Sequence, residues 1–132
     1  MLHVTCAIIL KDDKVLICQR SDKMRLPFKW EFPGGKVEAN ESLEACIVRE
    51  IKEELNIDIQ ILEAYTPVIH GYSDFVLTLY PFICNFIKGE LYPAEHAQAI
   101  WATLTELPQY DWAEADLPIV KELLARLESF SG

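Results

Sequence analysis

Apolar and polar residues alternate along the chain in a pattern that predicts five β-strands and two α-helices. Runs rich in β-branched and aliphatic residues, typical of strands, occupy residues 4–10, 15–19, 57–65, 75–87 and 99–103. The segments at 21–29, 66–74 and 93–98 contain proline, glycine or charged residues and are predicted to be loops. A final helix is predicted over 117–130, with an apolar face that includes Leu123 and Leu127. Strands and helices in this order predict a layered α/β domain.

The clearest helical pattern lies between residues 43 and 55. At about 100° per residue, four apolar side chains fall on one stripe that is suited to burial: Leu43, Ile47, Ile51 and Leu55. Ser42 or Asn40 precedes the stripe as a candidate N-cap, because short polar side chains accept hydrogen bonds from the first free N–H groups of a helix. Gly34 and Gly35 come earlier and are predicted to form the turn that leads into the helix.

An acidic cluster lies beside the apolar stripe of this helix. Glu50, Glu53 and Glu54 are i+3 and i+4 neighbours within an arc of roughly 100°, so their carboxylates repel one another at neutral pH. A hard divalent cation such as Mg²⁺ or Mn²⁺ prefers oxygen ligands and would remove this repulsion. For an arbitrary helix with this pattern, a solvated acidic face is the alternative. The helix alone leaves both interpretations open.

The spacing of the surrounding residues favours the metal site. Residues 35–57 fit the pattern G-x5-E-x7-R-E-U-x-E-E-x-G-U, where U is a bulky aliphatic residue. The chain therefore resembles the Nudix family at Gly35, Glu41, Arg49, Glu50, Ile51, Glu53, Glu54 and Ile57. Asn56 replaces the usual glycine, and asparagine tolerates the left-handed conformation expected where a helix ends. The run W-E-F-P-G-G-K-V-E at 30–38 is similar to the MutT-like branch of the family.

The resemblance implies a single Nudix domain over residues 1–132, with a mixed β-sheet sandwiched between helices. It also implies that Mg²⁺ or Mn²⁺ is held by Glu50, Glu53, Glu54 and the carbonyl oxygen of Gly34. Glu41 and Arg49 are expected to orient the ligands, with Arg49 keeping the glutamates ionised. Glu53, Glu54 and Arg49 are therefore candidate catalytic residues, and the number of metal ions is left open.

Three residues outside the helix region are candidate substrate contacts. Arg20 follows the second strand and matches a substrate-contacting arginine of MutT-like enzymes, and the basic loop 21–29 comes next. Phe32 is a core aromatic by default and would otherwise line the nucleoside pocket. Asp116 lies where MutT-like enzymes place an asparagine or aspartate that reads the base, although an aspartate near a helix start is also a common cap.

Glu95 is a further catalytic candidate, in the loop at 93–98. Its distances from Gly89 and Trp101 match those of an acidic residue that assists metal binding and catalysis in MutT-like enzymes. Hydrolysis requires a base to deprotonate the attacking water, and His96 is the weaker alternative for that role. A solvated loop carboxylate is the other interpretation of Glu95. Whether Glu95 or one of the helix glutamates is the general base is left open.

Composition limits the partners and the compartment. The net charge of −9 argues against a nucleic-acid polymer as partner, because phosphate backbones need Lys and Arg, but not against a nucleotide that arrives with metal. No apolar run reaches about 18 residues, so no membrane span is expected. The four cysteines are widely spaced, which favours reduced thiols in a cytoplasmic protein. The choice between monomer and homodimer is left open.

The resemblance predicts hydrolysis of a nucleoside triphosphate to the monophosphate and pyrophosphate. The substrate is left open between 8-oxo-dGTP and CTP or dCTP, within a general role in clearing oxidised or modified nucleotides. ADP-ribose or a dinucleotide is the alternative substrate for the same metal site. A nucleotide-binding module without catalysis is the alternative class, and the presence of all three helix glutamates argues against it.

Overall fold

The computed structural model describes residues 1–131, except for the side chains of residues 127–131. The strands are β1 (Leu2–Lys11), β2 (Lys14–Gln19), β3 (Trp30–Glu31), β4 (Gly34–Lys36), β5 (Ile57–Ala64), β6 (Val68–Gly71), β7 (Val76–Gly89) and β8 (Gln98–Thr103). The α-helices are α1 (Leu43–Leu55) and α2 (Leu117–Ser131), and the 3₁₀-helices are Leu104–Gln109 and Glu114–Asp116. Leu127, assigned to the apolar face of α2, lies outside the described side chains. No helix in the described part is long and apolar enough to span a membrane.

The eight strands form one mixed sheet with the central order β3-β2-β1-β7-β5. β1 and β7 run parallel, and the other strand pairs are antiparallel. β8 pairs along the whole of β2, whereas β3 pairs only with its end, where Cys18 lies opposite Glu31 and Gln19 lies opposite both Trp30 and Gln98. This arrangement brings Glu31 and the loop before β8 close to Arg20, which follows β2.

Successive residues of β1 belong to two different hydrophobic cores. Cys6 and Ile8 lie in the core that α2 covers, whereas Ala7 and Ile9 lie in the core that α1 covers. The helix residues in these cores are Ile119, Val120 and Leu123 of α2 and Ile47, Ile51 and Leu55 of α1. Because neighbouring strand residues point to opposite faces of a sheet, the two helices cover opposite faces. The predicted α/β fold, a mixed sheet sandwiched between helices, is confirmed.

Helix α1 begins and ends as its sequence predicts. Ser42, not Asn40, is the N-cap: its hydroxyl oxygen accepts a hydrogen bond from the backbone N–H of Ala45 at 3.1 Å. At the other end Asn56 has φ 61° and ψ 32°, the predicted left-handed conformation, and its N–H donates to the carbonyl of Lys52. The buried stripe is also confirmed, because three of its members are fully buried and Leu43 is partly buried.

Two local predictions were wrong. The segment 66–74 was predicted to be a loop, yet it contains β6, whose four residues are too few to show strand alternation in the sequence. Gly34 and Gly35 were predicted to form a turn, yet they belong to β4 and pair with β1. The chain reverses later, and Asn40 there adopts a left-handed conformation with φ 63°.

Candidate active site

A cavity of about 470 Å³ collects residues from β1, β3, β4, β7 and α1 and from the loops around them. Its charged and titratable lining includes Arg20, Glu31, Glu54, His96 and Asp116. Apolar and aromatic side chains form much of the remaining wall, among them Val4, Phe32, Tyr72, Phe75, Leu77 and Leu79. An apolar cleft of this size with a few convergent polar groups is typical of a small-molecule site.

Glu54 lies among like charges at this cavity. Burial, reinforced by the charges of Glu50, Glu31 and Glu95, raises the pKa of its carboxyl from about 4.5 to about 8. Its Oε2 atom is buried without a hydrogen-bond partner among the described residues. A buried carboxylate surrounded by other carboxylates is stabilised by a proton or by a cation. Glu54 is therefore the member of the acidic cluster with the clearest need for a positive partner.

Arg49 connects the acidic residues of α1 with the segment before the helix. Its guanidinium donates two hydrogen bonds to Glu41, from Nε at 2.6 Å and from Nη2 at 2.9 Å. Nη1 donates to Glu50 at 2.9 Å and to Glu53 at 3.1 Å. These contacts lower the pKa of Glu41 to about 2, with the Arg49 hydrogen bond as the largest cause. Arg49 thus contacts Glu41, Glu50 and Glu53 through one guanidinium.

The two glycines of β4 are required by close internal contacts. A Cβ atom on Gly35 would lie 2.3 Å from the carboxyl carbon of Glu50, and one on Gly34 would lie 1.9 Å from the carbonyl oxygen of Thr5. Gly35 therefore makes room for a carboxylate of α1, while Gly34 lets β4 approach β1. Gly34 also lines the cavity.

The donor atoms fit a hard divalent cation, although they do not form a finished cage. Among the described residues, no group of three or more His, Cys, Asp or Glu side chains is arranged to hold a metal ion. The Glu53 side chain is 61% exposed and is hydrogen-bonded to Arg49. Glu50 is only 14% exposed, and the Oε2 of Glu54 has no hydrogen-bond partner in the part of the chain that the structure describes, so these two carboxylates offer oxygen ligands that Mg²⁺ or Mn²⁺ would accept.

Arg20 and His96 share one carboxylate on β3. Nη1 of Arg20 donates to Oε1 of Glu31 at 2.6 Å, and Nε2 of His96 lies 2.8 Å from Oε2 of the same side chain. Arg20 was a candidate site residue from the sequence, whereas Glu31 was not. The sequence marks Glu31 only by its position beside Phe32 in the run 30–38, because Arg20 and His96, which contact Glu31, are distant in sequence.

Glu95 lies outside the cavity lining but close to the acidic cluster. The residue is exposed, and its charge contributes to the raised pKa of Glu54. Backbone hydrogen bonds from Ala94 to the carbonyl of Glu54 and from Tyr92 to that of Leu55, both 2.9 Å, hold this loop against the end of α1. Glu95 is therefore placed near Glu54 while remaining accessible to water.

Phe32 and Asp116 meet at the apolar side of the cavity. The backbone N–H of Phe32 donates to Oδ1 of Asp116 at 2.9 Å, and the Phe32 ring packs against Trp112 with a centroid distance of 5.0 Å. Asp116 is almost fully buried, and burial followed by the charge of Glu31 raises the pKa of its carboxyl well above the usual value. Its hydrogen bond goes to the residue that follows β3, so Asp116 connects the cavity wall to the segment before α2.

The basic loop 21–29 closes one side of the cavity. Met24, Arg25 and Leu26 line it, and Arg25 forms an ion pair with Asp74 and stacks on the ring of Phe75. Tyr72, a residue without a predicted role, lies in the same wall, and its hydroxyl accepts a hydrogen bond from the backbone N–H of Ala115 at 3.0 Å.

Known proteins are similar to this chain in sequence over most of its length. The family model of the NUDIX domain matches residues 1–123. The CTP pyrophosphohydrolase of Escherichia coli (strain K12) is 34% identical over 125 residues, which is 95% of this chain and 93% of the relative. The 8-oxo-dGTP diphosphatase of Proteus vulgaris is 38% identical over 91 residues, which is 68% of this chain and 81% of the relative.

A solved structure shares the fold over the same extent. The solution structure of the E. coli ORF135 protein matches with a TM-score of 0.83 and 34% identity, covering 95% of this chain and 89% of that chain. Nudix hydrolases generally use divalent metal ions, which agrees with the carboxylate donors of α1. Domain match, sequence identity and fold all agree with the spacing of residues 35–57, and the chain belongs to the Nudix hydrolase family.

Proposed function

We propose that this protein is a Mg²⁺-dependent or Mn²⁺-dependent nucleoside triphosphate pyrophosphohydrolase that produces a nucleoside monophosphate and pyrophosphate. One observation carries the proposal: a single cavity contains a carboxylate oxygen, Oε2 of Glu54, without a hydrogen-bond partner among the described residues, and a cation, Arg20, together with an apolar and aromatic wall that ends at Asp116. A nucleotide that arrives with metal offers a partner for each of these three features. The metal would pair with Glu54, a phosphate oxygen with Arg20, and the flat base with the apolar wall. The names of the two relatives support this substrate class.

Residues of α1 and β4, together with Arg20 and Glu95, would bind and hydrolyse the triphosphate. Glu50, Glu53 and Glu54 would hold the metal together with the carbonyl oxygen of Gly34, and Glu53 would leave Arg49 to do so. When bound, the metal supplies neutralisation of phosphate charge and activation of water. Arg20 would donate to a phosphate oxygen as charge develops during attack on the β-phosphorus. Glu95 would accept the proton of the attacking water, because it is exposed beside Glu54.

Phe32 and Asp116 would bind the base of the nucleotide. Phe32 would pack against the base, and the second oxygen of Asp116 would recognise its polar edge, since Oδ1 is already used by the backbone of Phe32. The raised pKa of Asp116 allows a protonated carboxyl, which donates as well as accepts. Both a cytosine base and an 8-oxo-guanine base offer suitable partners. We therefore propose CTP, dCTP or 8-oxo-dGTP as substrate, in a cytoplasmic role of clearing modified nucleotides.

The test is turnover across a panel of dGTP, 8-oxo-dGTP, CTP, dCTP and ADP-ribose with Mg²⁺, scored as kcat/KM. Glu53→Gln is expected to lower kcat by about 100-fold or more with an unchanged melting temperature, because it removes a metal-binding charge from an exposed position. Glu44→Gln on the exposed first turn of α1 is the matched control and should retain wild-type activity. A Glu53→Gln enzyme with wild-type turnover at saturating Mg²⁺ would contradict the assignment.

A further inference from the structure

A chain of three side chains crosses the charged side of the cavity. Glu31 accepts from Nη1 of Arg20 with one oxygen and contacts Nε2 of His96 with the other, at 2.6 and 2.8 Å. The His96 side chain is 2% exposed, although it belongs to a loop. All three residues line the cavity that also contains Glu54. Contact with solvent therefore does not explain why a polar histidine occupies this position in the loop.

The backbone around this chain is fixed at several points. The N–H of Ala97 donates to the carbonyl of Gln19 at 2.9 Å, so the residues that flank His96 and Arg20 are joined directly. The N–H of Arg20 donates to the carbonyl of Lys29 at 2.8 Å, next to β3. The loop that carries His96 is also held to the end of α1 through Ala94. These hydrogen bonds restrain the backbone from which the side chains of Arg20 and His96 project.

We propose that His96 is a positioning residue for phosphate binding: its Nε2–H holds Glu31, and Glu31 in turn holds the guanidinium of Arg20 in the orientation that meets the substrate. The inference rests on the proposed function, in which Arg20 contacts a phosphate. Nε of Arg20 donates to the carbonyl of Arg25 and Nη1 donates to Glu31. Nη2 makes no hydrogen bond within the described residues, so it is the donor left for a phosphate oxygen.

The direction of the hydrogen bonds follows from the donor and acceptor types. An ionised carboxylate only accepts, so both Arg20 and His96 must donate to Glu31, and Nε2 carries the hydrogen. A carboxylate held at both oxygens has one orientation, whereas one held at a single oxygen can rotate. Without the His96 donor, Glu31 would lose this constraint and Arg20 would lose its preorganised position. Preorganised donors contribute to catalysis because they need no rearrangement during the reaction.

The same geometry argues against His96 as the general base. Its Nε2 is occupied by Glu31, and its Nδ1 is buried without a partner among the described residues, so neither nitrogen is open to bulk water. Glu95, the preceding residue, is exposed and lies near Glu54. The two neighbouring residues thus divide the roles: Glu95 faces the water side, and His96 faces the cavity wall.

The test compares two replacements of His96 in two backgrounds. Gln places an amide N–H near the position of Nε2, whereas Asn is too short to reach Glu31. With CTP and 8-oxo-dGTP as probes and saturating Mg²⁺, His96→Asn is expected to lower kcat/KM by about 10- to 100-fold, and His96→Gln by less than about threefold. In an Arg20→Ala background, His96→Asn should cause almost no further loss, because residues that act as a unit are not additive. Equal losses in both backgrounds, or no loss in His96→Asn, would overturn the proposal.

A second readout does not depend on turnover. The Nη1–H signals of Arg20, whose nitrogen donates to Glu31, should be resolved and slowly exchanging in ¹⁵N NMR of the wild type and of His96→Gln, and broadened in His96→Asn; unchanged Nη1–H signals in His96→Asn would overturn the proposal. His70→Asn is the matched control, because His70 also pairs with a glutamate, Glu114, at 3.1 Å but lies outside the cavity lining. An inactive wild type with the expected NMR result would contradict the proposed function and leave the positioning role supported.

Discussion

At the scale of single residues, Glu54 and Asp116 are carboxyl groups whose surroundings oppose their charge. For Glu54 the causes are burial and then the neighbouring carboxylates Glu50, Glu31 and Glu95. For Asp116 the causes are nearly complete burial and then Glu31. The consequence of the raised pKa differs between the two residues. The ionised form of Glu54 would be stabilised by the proposed metal ion, whereas Asp116 has no proposed cation, so its ionisation would destabilise the fold.

Metal binding should release a proton from Glu54. With a pKa of about 8, this carboxyl is mostly protonated at pH 7, and a cation can bind only the ionised form. Titration calorimetry with Mg²⁺ in buffers of different ionisation enthalpy should therefore report about one proton released per protein at pH 7 and far fewer at pH 9. Glu54→Gln should abolish the release. A wild type that binds Mg²⁺ at pH 7 without releasing protons would contradict this assignment.

Replacement of Asp116 by asparagine should stabilise the fold at neutral pH. The folded state raises the pKa of Asp116, so ionisation above the unfolded pKa of about 4 costs stability, and the cost grows as pH rises towards the folded pKa. Asparagine keeps the oxygen that accepts from the N–H of Phe32 and removes the charge. Asp116→Asn should raise the melting temperature by about 2–6 °C at pH 7.

The pH dependence separates this effect from better packing. Well below the unfolded pKa of about 4, Asp116 is protonated in both states, so the advantage of Asp116→Asn should disappear there. Asp22→Asn, on the exposed loop after β2, is a suitable control and should leave the melting temperature unchanged at both pH values. Equal melting temperatures of wild type and Asp116→Asn at pH 7 would show that folding does not raise the pKa of Asp116.

At the scale of elements, the active site depends on the contact between β4 and α1. Arg49 reaches from α1 to Glu41 and to the carbonyl of Lys36, the last residue of β4. Gly35 lies under Glu50 of α1, and Gly34 lies against β1. The helix is thus attached to the strand by a cation on one side and by close packing on the other.

The two adjacent glycines should respond differently to alanine. Gly35→Ala would meet the flexible end of Glu50 at 2.3 Å, so the protein should fold while kcat/KM falls by about 10- to 100-fold through a displaced carboxylate. Gly34→Ala would meet the backbone oxygen of Thr5 at 1.9 Å, so the melting temperature should fall strongly. Activity assays and thermal melts of both variants provide the comparison.

Gly71→Ala is the control for these substitutions. A Cβ on Gly71 would lie 3.8 Å from Val76, an ordinary contact, so this variant should behave as the wild type. A Gly35→Ala enzyme with full activity would show that Glu50 does not need its present position.

At the scale of the whole molecule, the sequence predicted features that depend on regular spacing. The helix α1, its left-handed end at Asn56 and its buried stripe all follow from periodicity and local residue preferences, whereas the choice of Ser42 over Asn40 as the N-cap required the structure. The layered fold and the family also follow, because the motif fixes many positions within one segment. The role of each candidate site residue stays a prediction.

The sequence did not predict features that depend on distant contacts. β6 is too short for a pattern and exists because it pairs with β7. Glu31 becomes important through Arg20 and His96, which are 11 and 65 residues away. The β4 glycines were assigned to a turn because a sequence does not show that Thr5 and Glu50 approach them. Tertiary packing determined each of these cases.

The most direct test of the proposed chemistry is product analysis by ³¹P NMR in H₂¹⁸O, with CTP and 8-oxo-dGTP as substrates and Mg²⁺ present. Hydrolysis by attack on the β-phosphorus should yield a nucleoside monophosphate and pyrophosphate, with the ¹⁸O in the pyrophosphate. Formation of a nucleoside diphosphate and phosphate, or no turnover of either nucleotide, would contradict a nucleoside triphosphate pyrophosphohydrolase.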